Sequence, residues 1–224
     1  MTRSSRNATD GAVELRAARL ESEGMRERKK RERRDAIAAH ALRLFAENGF
    51  ERVSMREIAQ VADVSEPTVF NYFPTKENLV FNEDRERELA LLQAVRDRPP
   101  GTSVVAAFRD KALELLDRHR RETNLDWFRV VQGSPRLQRH RRELYARQAL
   151  SLAAVLKTQA GGRLGDVAAL SAARALMGVM AAAGETFGQR LLTGASPKSV
   201  TREVLADLVR AFDLLETGLA SLDD

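Results

Sequence analysis

The sequence predicts an all-α protein of about nine helices, with a three-helix N-terminal head joined by a fourth helix to a larger C-terminal bundle. Two observations support this prediction. Apolar residues recur at helical spacing in every long segment, and no segment alternates with a period of two. The stretch Asp97–Gly101 contains two prolines and a glycine, and it is the clearest helix breaker in the chain.

Composition limits the class of protein. A chain of 224 residues with 43% hydrophobic content can bury a sizeable core as one or two domains. The absence of cysteine excludes a structural disulfide and suits a reducing, cytoplasmic environment. No apolar run approaches the roughly 20 residues of a membrane span, and Met1–Arg6 lacks the apolar segment of a secretory signal. We therefore expect a cytoplasmic protein with no membrane partner.

Positive charge is concentrated near the N-terminus. The whole chain has a net charge of +5, and residues 25–34 alone hold seven basic and two acidic side chains. Such a run favours a polyanionic partner, so we expect Arg26–Arg34 to contact phosphates. For residues 1–24 two interpretations stay open: a basic arm along DNA, or a leader without contacts.

The first helix of the head is predicted from about Arg28 to Asn48. Apolar residues at Ile37, Ala41 and Phe45 follow its inner face. Gly49 then ends the helix in a left-handed conformation.

Two short helices follow, joined by a tight turn. Ser54 and Glu57 form a capping box, so a helix begins at Met55. Ser65 is an N-cap for a second helix, with Pro67 in its first turn. This layout is that of a helix-turn-helix, in which the second helix enters a DNA major groove.

The second of these helices has two different faces. Val69 and Phe73 are one turn apart and are predicted to face inward. The outer face carries Pro67, Thr68, Phe70, Asn71 and Tyr72. Polar side chains of this kind bind base edges or phosphates, and apolar ones meet thymine methyl groups. The alternative is a helical hairpin packed only on its own core.

These residues resemble a known family. The elements Ala41-x-x-Leu44-Phe45-x-x-x-Gly49-Phe50, Ser54-Met55-Arg56-Glu57-Ile58-Ala59 and Val64-Ser65-x-x-Thr68-Val69-Phe70-x-Tyr72-Phe73-x-x-Lys76-Glu77-x-Leu79 are similar to the N-terminal domain of the TetR family of bacterial transcriptional regulators. The resemblance implies double-stranded DNA as a partner. The predicted DNA contacts are Ser54, Met55, Arg56, Glu66, Pro67, Thr68, Phe70, Asn71, Tyr72 and Lys76. Lys76, at the start of the next helix, is expected to hold a phosphate.

The rest of the chain is predicted as six further helices. The fourth helix runs from Lys76 to about Arg96 and links head and body. The following elements are predicted at about 103–119, 123–131, 134–160, 166–192 and 197–222. We divide the chain into an N-terminal extension at 1–27, a DNA-binding domain at 28–81 and a ligand-binding and dimerisation domain at 82–224.

The last two helices are predicted to form half of a four-helix dimer interface. The first is rich in alanine and glycine, which let helices approach closely, and the second has a wide apolar face. The residues assigned to this interface are Ala173, Met177, Leu205, Leu208, Phe212 and Leu215. The alternative is that both helices only close the monomer core. A homodimer would read a palindromic operator.

The family resemblance implies a small-molecule effector that binds the C-terminal domain and releases a repressor from DNA. The sequence itself carries no ligand motif. Candidate lining residues of a largely apolar cavity are Phe108, Leu115, Trp127, Phe128, Met177, Met180, Glu185 and Phe187. For each of them a plain core position is the alternative.

No pattern indicates an enzyme. His40, His119 and His140 lie far apart, and no metal-ligand spacing, nucleophile motif or phosphate loop is present. We therefore expect no catalytic residue, no metal and no cofactor. Two other functions remain open: a DNA-binding protein or activator without an effector, and an enzyme with an added DNA-binding head.

Overall fold

In a computed structural model, the chain is described for residues 4–121 and 125–218, with side chains from 24–116 and 125–218. The described part is all-α and contains no strand, as predicted. Its ten helices are α1 (Ser4–Asn48), α2 (Met55–Val61), α3 (Glu66–Tyr72), α4 (Lys76–Val80), α5 (Asp84–Arg96), α6 (Val104–Arg121), α7 (Leu125–Gly133), α8 (Pro135–Gln159), α9 (Asp166–Leu192) and α10 (Pro197–Gly218).

The predicted end of α1 and the predicted starts of α2 and α3 are confirmed. Ser54 Oγ accepts a hydrogen bond from the Glu57 backbone, and Glu57 accepts one from the Ser54 backbone. Ser65 caps α3, and Gly49 ends α1 with φ at +84°. Asp63 lies in the α2–α3 turn at φ +51°, a left-handed conformation that aspartate tolerates better than most residues.

The single fourth helix of the prediction is wrong. The chain leaves α4 after Val80 and re-enters a helix at Asp84. Side chains from other helices bind the carbonyl groups at this break: Trp127 Nε1 donates to Val80 O at 2.9 Å, and Arg34 Nη2 donates to Asn82 O at 2.6 Å. Because these carbonyls have partners, the break leaves few unsatisfied backbone groups.

The first helix begins earlier than predicted. It spans Ser4–Asn48 rather than starting near Arg28. The added segment contains no proline, and its Ala- and Leu-bearing stretch suits a helix. The predicted end of α10 near Leu222 lies outside the described residues.

The C-terminal helices α5, α6, α8, α9 and α10 share one apolar core around Phe108, Leu152, Leu176 and Phe212.

Helix α9 is more apolar than the sequence analysis recognised, because no segment was expected to be long and apolar enough to span a membrane. By length and composition alone it could cross a membrane, with a mean hydropathy of 1.6 in its most apolar window. Only 33% of that window is buried by the chain itself, so much of an apolar helix is left without a partner.

Two glycines of α9 provide a test of this packing. A Cβ atom at Gly188 would lie 2.6 Å from Phe128 Cδ1, whereas one at Gly184 would make only an ordinary contact, 3.8 Å from the Tyr145 hydroxyl. We expect Gly188→Ala to lower the free energy of unfolding by about 1–3 kcal/mol, because the Phe128 ring must move. Gly184→Ala, one turn away, should be neutral or stabilising by up to about 1 kcal/mol. Guanidinium unfolding measures both, and equal stabilities would contradict the packing described for Phe128.

Candidate functional site

The buried sides of α2 and α3, which form the helix-turn-helix, pack on the apolar core of the head. Ile58, Val69 and Phe73 have no exposed surface, so the predicted inner face of α3 is confirmed. Both helices are seven residues long and packed together, and an ion pair of 3.9 Å between Arg56 and Glu66 joins their exposed sides. The pair orients α3 against α2 at the protein surface.

The outer face of α3 is turned to solvent. Pro67, Phe70 and Asn71 are exposed, and Thr68 and Tyr72 are half-buried. Phe70 is 45% exposed, which is unusual for a large aromatic ring in a folded monomer. The Thr68 hydroxyl lies 2.7 Å from that of Ser65, so it already takes part in the helix cap. Asn71 is therefore the polar side chain of this face that is most available to a partner.

Lys76 does not lie on this face. Its Nζ donates to the carbonyl oxygens of Phe50 at 2.6 Å, Glu51 at 3.3 Å and Val53 at 2.9 Å. An ammonium group has three donors, so bonds within the chain use all of them. Burial lowers the pKa of Lys76. Lys76 therefore ties α4 to the loop between α1 and α2, and its phosphate contact stays a prediction.

The basic run on α1 divides into two parts. From Arg26 to Arg33 the side chains are exposed, whereas Arg34 is half-buried. Besides its bond at the α4–α5 break, the Arg34 guanidinium lies 5.4 Å from the centre of the Phe73 ring. Arg34 is therefore a structural residue, and the exposed basic side chains precede it.

The head is attached to the bundle through α7 and the start of α8. Ser134 Oγ donates to Glu51 at 3.0 Å, and Arg136 donates to the buried carboxylate of Glu77. Burial alone would raise the pKa of Glu77, but a backbone N–H and the Arg136 guanidinium hold it below the usual value.

An aromatic contact completes this attachment. The buried Phe81 ring lies edge-on to Trp127, with ring centres 5.9 Å apart, and stacks on His140 at 5.3 Å. His140 thus has a packing role and His40 binds Arg43, while the side chain of His119 lies outside the described residues. Among the described residues no group of acidic or histidine side chains is placed to hold a metal.

An apolar cavity of about 110 Å³ lies among six helices, α5 to α10. We call it the aromatic cavity. It is lined by Arg87, Leu116, Trp127, Phe128, Tyr145, Met180, Ala183, Gly184, Phe187, Thr201, Val204 and Leu205. Trp127, Phe128, Met180 and Phe187 were predicted from the sequence as lining residues.

The other four predicted lining residues lie elsewhere. Phe108 and Met177 are core residues beside a void of about 10 Å³. Leu115 is a buried core residue, and Glu185 pairs with Arg141 at 3.6 Å. The sequence signal did not reveal Arg87 or Tyr145, because neither stands in a pattern that points to a ligand.

The predicted dimer residues are also placed differently. Ala173, Met177, Leu208 and Phe212 are buried within the monomer, Leu205 lines the aromatic cavity and Leu215 packs on the core. The four buried residues face the chain's own bundle, which is the side that the apolar periodicity of α9 and α10 marks, whereas the half-buried Leu205 and Leu215 stay predicted interface residues. The exposed side of α9 carries Val167, Ala168, Ser171, Gly178 and Ala182, and that of α10 carries Ala206, Val209 and Leu214.

Comparison with known proteins agrees with the geometry of the head. Residues 37–82 match the sequence model of bacterial regulatory proteins of the tetR family. The chain is 32% identical over 97 residues to the transcriptional regulator TcmR of Streptomyces glaucescens, covering 43% of each protein. It is 34% identical over 101 residues to the transcriptional repressor KstR of Rhodococcus jostii, covering 45% of this chain and 46% of KstR. The match therefore spans less than half of the length of these relatives.

A solved structure extends the likeness of fold to most of the chain. NalD, the secondary repressor of the MexAB-OprM multidrug efflux pump in Pseudomonas aeruginosa, is similar over 82% of this chain and 97% of its own, with 18% identity and a TM-score of 0.50. TcmR and KstR are named as transcription regulators, in agreement with the expectation that the chain is not an enzyme. Residues 37–82 therefore form a helix-turn-helix domain of the TetR type, the type found in bacterial transcriptional regulators.

Proposed function

We propose that this chain is a repressor that binds a palindromic DNA operator as a homodimer and is released when a small, largely apolar effector occupies the aromatic cavity. The observation that carries the proposal is the outer face of α3. Exposed Pro67, Phe70 and Asn71 are held there by an inner face with no exposed surface. Such a regulator acts in the bacterial cytoplasm, on the nucleoid when bound to its operator.

Helices α2 and α3 are assigned different contacts with DNA. In this proposal Asn71 and Thr68 bind base edges, while Phe70 and Pro67 contact thymine methyl groups. The side chains of Ser54, Arg56 and Tyr72, and the backbone N–H of Met55 at the start of α2, are assigned to the phosphate backbone. Glu66 keeps Arg56 in place through their ion pair. The exposed basic residues before Arg34 add sequence-independent attraction.

A second copy of this chain is proposed to bind the other half-site of the operator. One head makes few contacts, and two heads related by a twofold axis read half-sites about 34–36 Å apart or somewhat more. We assign the dimer contact to the exposed sides of α9 and α10 rather than to their buried sides. On α9 this side carries Ser171, Gly178 and Ala182, whose small side chains allow close approach of a partner helix, together with the exposed side chain of Arg174.

The cavity is coupled to the head through Trp127. This residue is a wall of the aromatic cavity, and its N–H group binds the last carbonyl of α4. A ligand that displaces the indole ring therefore acts directly on the α4–α5 break. Release of DNA requires that the ligand bind the displaced arrangement more tightly than the DNA-bound one.

The base-reading role of Asn71 is tested by substitution. We expect Asn71→Ala to weaken binding to the preferred operator by about 1–3 kcal/mol and to relax base preference at one position of each half-site. Selection from random DNA followed by gel-shift titration measures both effects. Gln93→Ala, on an exposed site of α5, is the control and should change neither. Equal weakening on every sequence would show that Asn71 does not face the bases.

The dimer surface is tested by a bulky charge on α9. Ala182→Arg should yield a monomer in sedimentation and abolish tight binding to a palindrome, because a guanidinium cannot enter a close helix contact without a partner. Ala146→Arg places the same side chain on an exposed site of α8 and should remain dimeric. A dimeric Ala182→Arg variant would move the interface away from this side of α9.

The link between cavity and head is tested by removing one hydrogen bond. Trp127→Phe keeps an aromatic wall but leaves Val80 O without its donor, so we expect faster amide hydrogen exchange in α4. Phe187→Leu alters the same cavity without touching the head and is the matched control. Similar exchange in α4 for both variants would argue against Trp127 as the link.

A further inference from the structure

The aromatic cavity has one charged wall, which it shares with a second cavity. Arg87 lines both the aromatic cavity and a space of about 400 Å³ between α1, α5 and α6. The larger space is bordered mostly by charged side chains, among them Arg31, Glu86 and Lys111. Arg87 therefore stands where an apolar space meets a polar one.

The protein itself uses little of the hydrogen-bonding capacity of Arg87. A guanidinium has five N–H donors. Among the described residues its one acceptor is Asp84, which Arg87 Nη2 reaches at 2.7 Å. Arg87 Nε and Asp84 Oδ2 are both buried without a hydrogen-bond partner. The Arg87 side chain is 33% exposed, so its remaining N–H donors are open to an acceptor that a ligand brings.

Two other polar groups of the cavity, unlike Arg87, already have their hydrogen-bond partners within the chain. The Trp127 N–H is bound to Val80 O, and the Thr201 hydroxyl donates to Pro197 O at 2.7 Å. Burial raises the pKa of Tyr145, so its hydroxyl stays protonated and is a donor. Two donor groups, Arg87 and Tyr145, thus border a space that is otherwise apolar.

We propose that the effector is a single-ring aromatic compound bearing a carbonyl-type acceptor, either a carboxylate or an uncharged amide or ketone, and that Arg87 binds this acceptor. The inference rests on the proposed function, which makes the aromatic cavity the effector site. Trp127, Phe128 and Phe187 offer ring edges and faces to an aromatic guest. An apolar cavity of about 150 Å³ holds a benzene ring, so this cavity of about 110 Å³ has room for no more than one ring. The acceptor points toward Arg87 because the polar space lies beyond that residue.

The chain contains a built-in probe for this site. Trp127 is its single tryptophan and lines the cavity, so tryptophan fluorescence reports binding there. The ligands are toluene, benzamide and benzoate, which share one ring and differ in the acceptor. We expect the better of the two acceptor-bearing ligands to have a dissociation constant at least about tenfold below that of toluene. Whether it is benzamide or benzoate shows if the effector's acceptor is uncharged or charged.

Substitutions on α5 test whether Arg87 causes the preference for an acceptor-bearing ligand over toluene. Arg87→Met should abolish the tenfold preference, whereas Arg85→Met, on an exposed site of the same helix, should keep it. Arg87→Lys retains the charge but not the planar donor fork, so it should reduce the preference even if the Met variant fails to fold. Toluene binding as tightly as both other ligands, or an unchanged preference in the Arg87 variants, would overturn the inference.

A gel-shift titration on selected DNA separates this inference from the proposed function. Specific DNA binding without any fluorescence response to the three ligands would refute the effector chemistry and leave the DNA-binding proposal intact. An Arg87-dependent ligand preference without specific DNA binding would refute the proposed function and leave the ligand class standing.

Discussion

The break between α4 and α5 is held by two side chains from distant parts of the chain, and the position of the head depends on it. Trp127 and Arg34 bind the carbonyls of Val80 and Asn82, which a continuous helix would have used internally. The freed segment turns Phe81 into the interior, between Trp127 and His140. The apolar core of the head then continues into α7 and α8 through Val130, Val131 and Leu137. Head and bundle are therefore joined by packing as well as by a covalent link.

Several charged residues near the DNA-binding surface serve this same junction. Lys76 binds three carbonyls of the α1–α2 loop, Arg34 binds the break, and Arg136 binds buried Glu77. Lys76 and Arg34 were expected to contact phosphates, and in the structure both bind carbonyl groups of the chain itself. Their contacts show that a count of basic residues overstates the positive surface offered to DNA. The exposed basic side chains from Arg26 to Arg33 are a better measure of it.

Local signals in the sequence predicted most of the fold. These signals act within four residues, and the structure has each of them as expected: the start of α2 at Ser54 and Glu57, the start of α3 at Ser65 and Pro67, and the end of α1 at Gly49. The α4–α5 break was missed because its partners, Trp127 and Arg34, lie 47 and 48 residues away from the carbonyls they bind. The dimer residues were chosen by the apolar periodicity of α9 and α10, and four of them pack on the chain's own core. Periodicity cannot tell which of two apolar sides faces the chain's own core.

The aromatic cavity and the junction share one helix, and this has a mechanical consequence. Helix α7 places Trp127 in the cavity wall and Val130 and Val131 in the core of the head. A packed core is not continuously deformable, so a shift of α7 by a ligand must be accommodated by the head as a whole. On the opposite wall, the partly unpartnered Asp84–Arg87 pair follows directly after the same break. In the proposed function, a ligand bound between Trp127 and Arg87 would therefore contact both flanks of the break that joins the head to the bundle.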